Sequence, residues 1–172
     1  MIMKRRVLTL ICIGMFSILL IGKVQYSHNI EMKNMLTEKV VVADTKNIPF
    51  EYTEETAINN GDVVIVNSII HNKHRLDEFM TKINKKKISK IRVVTYTKGQ
   101  VPLIENLYFN GNNIVLVTDN TRDEVIDREY REIKRYEVSS INYHNKDDGV
   151  LYVATLDTGE TFDILYYKDI KK

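Results

Sequence analysis

The chain has 172 residues, with an apolar fraction of 44% and a charged fraction of 28%, which predicts one globular domain rather than a disordered chain. From residue 44 onward, 19 Lys and Arg stand against 21 Asp and Glu, a balance of −2, so the net charge of +2 comes from the N-terminal residues. Because nucleic-acid-binding domains carry their basic excess on the folded part, this distribution argues against DNA or RNA as a partner.

The N-terminus has the pattern of a signal or membrane anchor. Three basic residues at 4–6 precede an uncharged, mostly apolar run at 7–22, and the positively charged flank of such a run stays in the cytoplasm. We therefore predict an anchor or signal segment at 1–26 that contacts the membrane through residues 4–24. The rest of the chain is then extracellular, and it is secreted if the signal is cleaved.

Cleavage of this segment is left open by the sequence. No good pair of small residues for cleavage follows Gly22, which favours an uncleaved anchor over a cleaved signal, with a buried core helix as the third alternative. Cys12, the only cysteine, lies inside the apolar run rather than after it, so we do not expect it to be lipidated. The outer domain therefore has no disulfide, thiol nucleophile or cysteine metal site.

A polar spacer is predicted at 27–52, with one candidate strand at 40–43, and a single domain follows at 53–172. The domain begins with a short helix. Thr53 is placed to cap its first amides, acidic residues occupy its first turn, and Gly61 supplies the left-handed conformation that ends it.

A strand and a longer helix come next. The β-branched run 62–70 predicts a strand. Asn72 is placed to cap the clearest helix of the chain, in which apolar residues recur at intervals of three and four. Its expected buried stripe consists of Leu76, Phe79, Met80 and Ile83.

From residue 88 the apolar residues alternate with polar ones, which predicts antiparallel strands. The predicted strands are 88–97, 103–109, 114–118, 150–156 and 161–167. The predicted turns are 98–100, a two-residue hairpin at Asn110-Gly111, and 157–159. Residues 124–137 fit either a helix or a solvated edge strand. We therefore predict an α+β fold with an antiparallel sheet of about five to seven strands, packed by one main helix plus a short N-terminal helix.

A series of short motifs resembles a known family. The motifs are Asn60-Gly61-Asp62-Val63-Val64, Ile91-Arg92-Val93 with Tyr96-Thr97, Pro102-Leu103-Ile104, Leu107-Tyr108-Phe109-Asn110-Gly111 and Asp119-Asn120-Thr121-Arg122-Asp123. Over roughly residues 53–167 the chain resembles domain of unknown function 4362, found in small secreted or lipoprotein-like proteins of Gram-positive bacteria. The resemblance implies an extracytoplasmic address and a fold, and no established activity. The relatives' lipidated cysteine and C-terminal cysteine pair do not carry over, because the matching stretches 136–140 and 154–157 contain no cysteine.

Histidine and serine patterns give weak signals for catalysis. His71 and His74 have a spacing that suits one helical face, but a zinc site needs at least three protein ligands, and only an accident of the fold would bring His144 to them. Ser139 and Ser140 lie outside any G-x-S-x-G motif. We therefore predict no catalytic residue, no metal and no cofactor.

A local basic cluster follows the main helix. It consists of Lys85, Lys86, Lys87 and Lys90, with Arg92 close by in the sequence, and we call the four lysines the lysine cluster. Such a cluster can bind anionic lipid headgroups or wall polymers. The alternative is ordinary solvation of the end of a helix.

The stretch 119–123 is the most site-like part of the sequence. Asp119 and Asp123 flank Arg122 on a predicted loop beside a sheet, and such loops often carry function. We take these three residues as a tentative ligand-binding set. The alternative is a turn held by Asx hydrogen bonds and an Arg–Asp pair. We expect the Arg–Asp pair to be mostly exposed.

These observations favour a non-catalytic, membrane-tethered interaction or ligand-binding module on the outer face of the cell, with an unknown envelope protein or ligand as its partner. One alternative is a small cell-envelope hydrolase whose site has no recognisable motif. The other is a surface that binds anionic lipid or wall polymer through the lysine cluster.

Overall fold

The computed structural model describes residues 44–45, 47–96 and 101–169. The predicted N-terminal anchor, the candidate strand at 40–43 and the turn at 98–100 lie outside these residues. In the described part of the chain, no helix is long and apolar enough to cross a membrane.

Two α-helices and eight strands lie wholly within the described residues. The helices are α1 (Glu54–Asn59) and α2 (Lys73–Asn84). The strands are β1 (Val63–Val66), β2 (Ile69–His71), β3 (Ser89–Tyr96), β4 (Pro102–Phe109), β5 (Ile114–Asp119), β6 (Ile133–Lys146), β7 (Gly149–Leu156) and β8 (Thr161–Lys168). A 3-10 helix at Arg128–Tyr130 precedes β6.

All eight strands form one sheet in the order β2-β1-β3-β4-β5-β6-β7-β8. The pair β1 and β3 is parallel and every other neighbouring pair is antiparallel. The α+β class is confirmed, whereas the predicted sheet of five to seven antiparallel strands differs from the mixed eight-stranded sheet. The parallel pair arises because α2 returns the chain from β2 to the far side of β1, as a parallel crossover requires.

One of the additional strands comes from the run predicted as a single strand at 62–70. That run is a hairpin of β1 and β2, which turns at Asn67 and Ser68 with φ angles of 50° and 65°. Serine rarely adopts a positive φ, and apolar residues flank the dipeptide on both sides. The turn therefore left little trace in the sequence pattern.

The ambiguous segment 124–137 is neither a helix nor an edge strand. It contains a loop, the 3-10 helix and the first part of β6, which pairs with β5 on one side and β7 on the other. The dense charge of this segment is compatible with a solvated edge strand. Its charged side chains belong instead to an interior strand, on which Lys134 and Arg135 are exposed on successive residues.

The concave face of the sheet holds the main core. Helix α2 packs there with Leu76 and Phe79 buried and with Met80 and Ile83 partly buried, so the predicted apolar stripe is confirmed. The sheet curls into a half-barrel around this core. One hydrogen bond joins the two ends of the sheet: the N–H of Lys168 in β8 donates to the carbonyl of Ser68, in the turn between β1 and β2, at 2.8 Å.

Asn72 occupies the N-cap position of α2, but it does not cap the helix as predicted. Its φ is 55° and its side chain makes no capping hydrogen bond. The amide instead donates to the carbonyls of Ile58 at 2.9 Å and Asp62 at 2.8 Å. The residue therefore ties the end of α1 to the start of α2.

The convex face is covered by α1 and by the segment at 47–52. Thr53 caps α1 by accepting from the N–H of Thr56 at 3.2 Å, and Gly61 follows the helix with a φ of 78°, both as predicted. A second core cluster lies beneath this cover: Ile48, Tyr52, Ala57, Val64, Val94, Tyr96 and Ile104.

The β-hairpins agree with the predicted turns in position. Asn110 and Gly111 connect β4 to β5 in a loop that extends to Asn113, longer than the two-residue turn that was predicted. The side-chain oxygen of Asn110 accepts from the N–H groups of Asn112 and Asn113, and Gly111 has a φ of 98°. The connection between β7 and β8 covers residues 157–160 and so includes the predicted turn at 157–159.

Candidate functional site

A groove of about 920 Å³ opens on the convex face, and we call it the convex groove. One wall is the segment Phe50–Glu55 with the C-terminal part of α1, and the opposite wall is formed by strand ends and the loop after β5. Its remaining lining residues are Ile58, Asn59, Val66, Asn67, Tyr96, Val101, Pro102, Arg122 and Glu124. The volume lies within the range of small-molecule and cofactor sites, roughly 300–1,000 Å³.

Two buried tyrosines support the floor of the convex groove. The hydroxyl of Tyr96 donates to the carbonyl of Tyr52 at 2.7 Å, and the hydroxyl of Tyr52 donates to the carboxylate of Asp62. Asn60 donates to the Tyr52 hydroxyl at 3.1 Å. Burial raises the pKa of both tyrosines above the ordinary value, so both are neutral donors that fix the floor.

Arg122 is held in place by three acceptors. Its guanidinium pairs with Asp119 at 2.5 Å and also donates to the carbonyls of Ile48 at 2.9 Å and Pro49 at 3.3 Å. Arg122 is 8% exposed and Asp119 1%. The expectation of a mostly exposed pair is therefore wrong, because a segment more than 70 residues earlier in the chain covers it.

Hydrogen bonds within the loop after β5 fix its course. Asp119 accepts from the N–H and hydroxyl of Thr121 at 2.9 and 2.6 Å, and Asp123 accepts from the N–H of Val125 at 2.9 Å. Bonds from an aspartate side chain to the N–H two residues later are the Asx hydrogen bonds expected if residues 119–123 form a structural turn. Of the three predicted ligand-binding residues, only Arg122 lines the convex groove, and ligand binding by the set stays a prediction.

A polar row crosses the convex face beside this groove. The guanidinium of Arg92 lies 3.7 Å from the carboxylate of Asp62 and donates from Nε to Asn106 at 2.9 Å. Asn106 in turn donates to the hydroxyl of Thr45 at 3.0 Å. Burial raises the pKa of Asp62, and the hydrogen bond from Tyr52 and the charge of Arg92 oppose that rise. These contacts hold the covering segment on the sheet.

The four residues of the lysine cluster differ in their positions and contacts. Lys85, Lys86 and Lys87 follow α2 on exposed positions, with Lys86 at a φ of 52°. Lys90 lies on β3 and its amino group is 3.2 Å from the carboxylate of Asp44. Partial burial opposes ionisation of Asp44, but the hydrogen bond from Tyr108 and the charge of Lys90 lower its pKa.

The histidines and serines of the sequence patterns are not brought together. Ser139 donates its hydroxyl to the carbonyl of Thr155 at 2.9 Å. His144 lies exposed on β6, while His71 ends β2 and His74 lies in the first turn of α2. Among the described residues, no group of three or more His, Cys, Asp or Glu side chains is placed to hold a metal ion.

Glu105 is a residue that sequence reasoning missed. It lies on β4 between Leu103 and Leu107, on the strand face that points into the concave core. Its side chain is fully buried, and neither carboxyl oxygen has a hydrogen-bond partner. Burial raises its pKa well above the ordinary value, because an apolar environment disfavours the charged carboxylate. The available signal was an acidic residue at an alternate position between the apolar residues Leu103 and Leu107 of the predicted strand 103–109.

The acidic residues of the convex groove were also missed. Glu51, Glu54, Glu55 and Glu124 line it, and we call them the groove glutamates. They come from two segments about 70 residues apart, and sequence spacing gave no sign that the fold brings them to one groove.

Comparisons with known proteins place the chain in a family. No curated protein and no solved structure matches it. The family model described as domain of unknown function, DUF4362, matches residues 60–153, which run from the end of α1 into β7 and cover just over half of the 172 residues. The chain therefore belongs to the DUF4362 family.

Proposed function

We propose that this protein is a non-catalytic ligand-binding module and that the convex groove is its binding site. The observation that carries the proposal is a concave site of about 920 Å³ whose floor and walls are fixed by buried hydrogen bonds. A site that is formed before the ligand arrives loses less conformational entropy on binding. The convex groove has this property, because Tyr96, Tyr52 and Arg122 are each held by the protein itself.

The bonding within the convex groove favours binding over catalysis. The hydroxyls of the two tyrosines already donate inside the protein, and each of the three guanidinium nitrogens of Arg122 donates to a protein acceptor. A catalytic site needs a nucleophile or acid beside a base that activates it. Among the lining residues that the structure describes, the polar side chains without a hydrogen bond are exposed carboxylates and amides, and no observation favours the envelope hydrolase.

We also propose that the domain is tethered on the outer side of the cell membrane. The support is the basic triplet at 4–6 followed by the apolar run at 7–22. Protease added to intact protoplasts should degrade a C-terminal tag on the full-length protein. Complete protection of the tag would contradict this topology.

A ligand screen tests the binding function. Peptides and small molecules of both charge signs would be tested for their effect on the thermal stability of the full-length protein, because a ligand that binds only the folded state raises its stability. We expect hits that are lost in Asn59→Trp, which places a bulky side chain at the groove. Asn145→Trp, on an exposed position of β6, is the control and should keep them. Hits that survive Asn59→Trp would exclude the groove as the site.

The lysine cluster supports a second candidate, a surface for anionic lipid or wall polymer. Lys85, Lys86 and Lys87 are exposed and make no ion pair with the rest of the described chain. The domain without its N-terminal 43 residues should then sediment with anionic vesicles at low salt, because each cation near such a surface adds about 1 kcal/mol. Replacing the three lysines with glutamine should abolish sedimentation. Unchanged sedimentation would reject this candidate.

A further inference from the structure

The convex groove presents negative charge that the described residues do not neutralise. The groove glutamates are all exposed, and none forms an ion pair within the described part of the chain. Among the lining residues that the structure describes, the one basic side chain, Arg122, is already neutralised by Asp119. Arg131 approaches Glu124 but donates to its backbone carbonyl at 2.9 Å rather than to its carboxylate. The groove therefore attracts a positively charged ligand.

The same groove also offers apolar surface. The side chain of Phe50 is 67% exposed on its rim, although large apolar side chains are usually buried. Ile58 and Val66 are half-buried in its lining. An aromatic face beside carboxylates suits a ligand that combines apolar groups with cations, because the ring itself also attracts cations.

We infer that the convex groove takes a short basic peptide segment, whose lysine or arginine side chains pair with the groove glutamates while an apolar side chain packs against Phe50. This inference rests on the proposed function, because it names the ligand class of the same groove. The four groove glutamates come from two segments of the chain, so they offer pairing sites to several cations rather than to a single one. The groove volume of about 920 Å³ lies at the upper end of the range for small-molecule sites, roughly 300–1,000 Å³.

The test measures binding of fluorescent pentapeptides to the full-length protein by anisotropy. One peptide alternates lysine with phenylalanine, a second has glutamate in place of lysine, and spermine serves as a competing small polyamine. We expect the basic peptide to bind and the acidic peptide not to bind. Raising the salt from about 0.05 to about 0.5 M should weaken binding at least about tenfold, because screening acts on exposed charges.

Charge-removing variants locate the interaction. Glu54→Gln with Glu55→Gln should weaken binding of the basic peptide about tenfold, as expected for the loss of two exposed ion pairs. These residues open α1, so the pair Glu51→Gln with Glu124→Gln repeats the charge change outside the helix and should have a similar effect. The control removes two exposed charges outside the groove, with Asp147→Asn and Glu129→Gln, and should change binding less than about twofold.

The outcomes separate the ligand class from the binding site. Unchanged affinity in both glutamate pairs, or spermine displacing the peptide at equal concentration, would overturn the inference of a basic peptide. If the acidic peptide binds instead and Asn59→Trp abolishes its binding, the groove remains the site and only the ligand class is wrong. If the basic peptide binds equally to Asn59→Trp and to the glutamate pairs, both the inference and the groove as its site are wrong.

Discussion

The same strands contribute side chains to both faces of the sheet, but the two faces differ in the elements that cover them. On β3, Ile91 and Val93 point into the concave core, whereas Arg92 and Tyr96 point to the convex face. The concave face is closed by α2 and by the curl of the sheet, and its contacts are almost entirely apolar. The convex face is covered by α1 and the preceding segment, which polar contacts hold in place.

The difference shows where a small sheet leaves room for a ligand. A face closed by its own helix and strands buries a continuous core and leaves little space. A face covered by a separate segment is packed only where that segment reaches, and the convex groove lies along its border. The concave face therefore provides most of the stability, and the convex face provides the candidate site.

The strongest test of this division is truncation in the concave core. Phe79 is 1% exposed at the centre of the α2 stripe. Phe79→Ala should lower the free energy of unfolding by about 3–5 kcal/mol, because it removes a large buried side chain and leaves a cavity. Urea-induced unfolding measures this, with the exposed Lys86→Ala as a control that should change it by less than about 0.5 kcal/mol. Equal effects of the two variants would mean that the buried face of α2 is assigned incorrectly.

A second test asks whether the convex cover depends on Arg122. Arg122→Ala leaves the carboxylate of Asp119 buried without its partner and frees two backbone carbonyls. We expect a loss of about 3 kcal/mol in the free energy of unfolding, as for other broken buried pairs. The control is Arg128→Ala, on an exposed position of the 3-10 helix, which should have almost no effect. A loss below about 1 kcal/mol for Arg122→Ala would contradict a buried Arg122–Asp119 pair and would indicate an exposed side chain that is available to a ligand.

These two residues also show how much the sequence could predict. Phe79 and its stripe were identified correctly because helical periodicity is a local property. The hairpin at Asn67 and Ser68 was not predicted, because its turn depends on positive φ angles that asparagine and serine do not require. The pairing of β6 on both of its edges is decided by distant strands. The strand count and the parallel pair therefore could not follow from local patterns.

The candidate site was less predictable than the fold. Arg122 was singled out from its neighbours in the sequence, but its burial depends on Ile48 and Pro49, which are more than 70 residues away. The convex groove likewise joins the segment before α1 to the loop after β5. A single sequence contains no sign of such contacts. Glu105, in contrast, could have been noticed, because an acidic residue interrupts the buried face of a predicted strand.

Glu105 provides a third test, on the concave side. Since burial raises the pKa of its carboxyl above 4.5 in the folded protein, its contribution to stability is complete below pH 4.5. That contribution is lost at up to about 1.4 kcal/mol per pH unit as the pH rises toward and through the raised pKa. Glu105→Gln should remove this part of the pH dependence, whereas the exposed Glu129→Gln should leave it intact. A pH profile that Glu105→Gln does not flatten would show that the carboxyl is solvated or ionised in the folded protein.

Glu105→Met isolates the cost of the unsatisfied carboxyl. Methionine has a similar shape and no hydrogen-bonding requirement, so this variant should be more stable than the wild type at pH 7 by about 1–3 kcal/mol. Urea-induced unfolding of wild type, Glu105→Gln and Glu105→Met at one pH makes the comparison. A destabilised Glu105→Met would indicate that the carboxyl has a partner that stabilises it.

The smallest expected effect concerns the edge of the convex groove. Thr53 caps α1, and two of the groove glutamates lie in the first turn of that helix. Thr53→Ala should reduce the free energy of unfolding by about 1 kcal/mol, the usual value for a lost N-cap, and Thr53→Ser should restore it because serine keeps the hydroxyl. If α1 carries ligand-binding side chains, Thr53→Ala should also weaken binding of the basic peptide beyond what the lost stability explains. Matching peptide affinities at a temperature where both proteins are fully folded would show that the position of α1 does not control the groove.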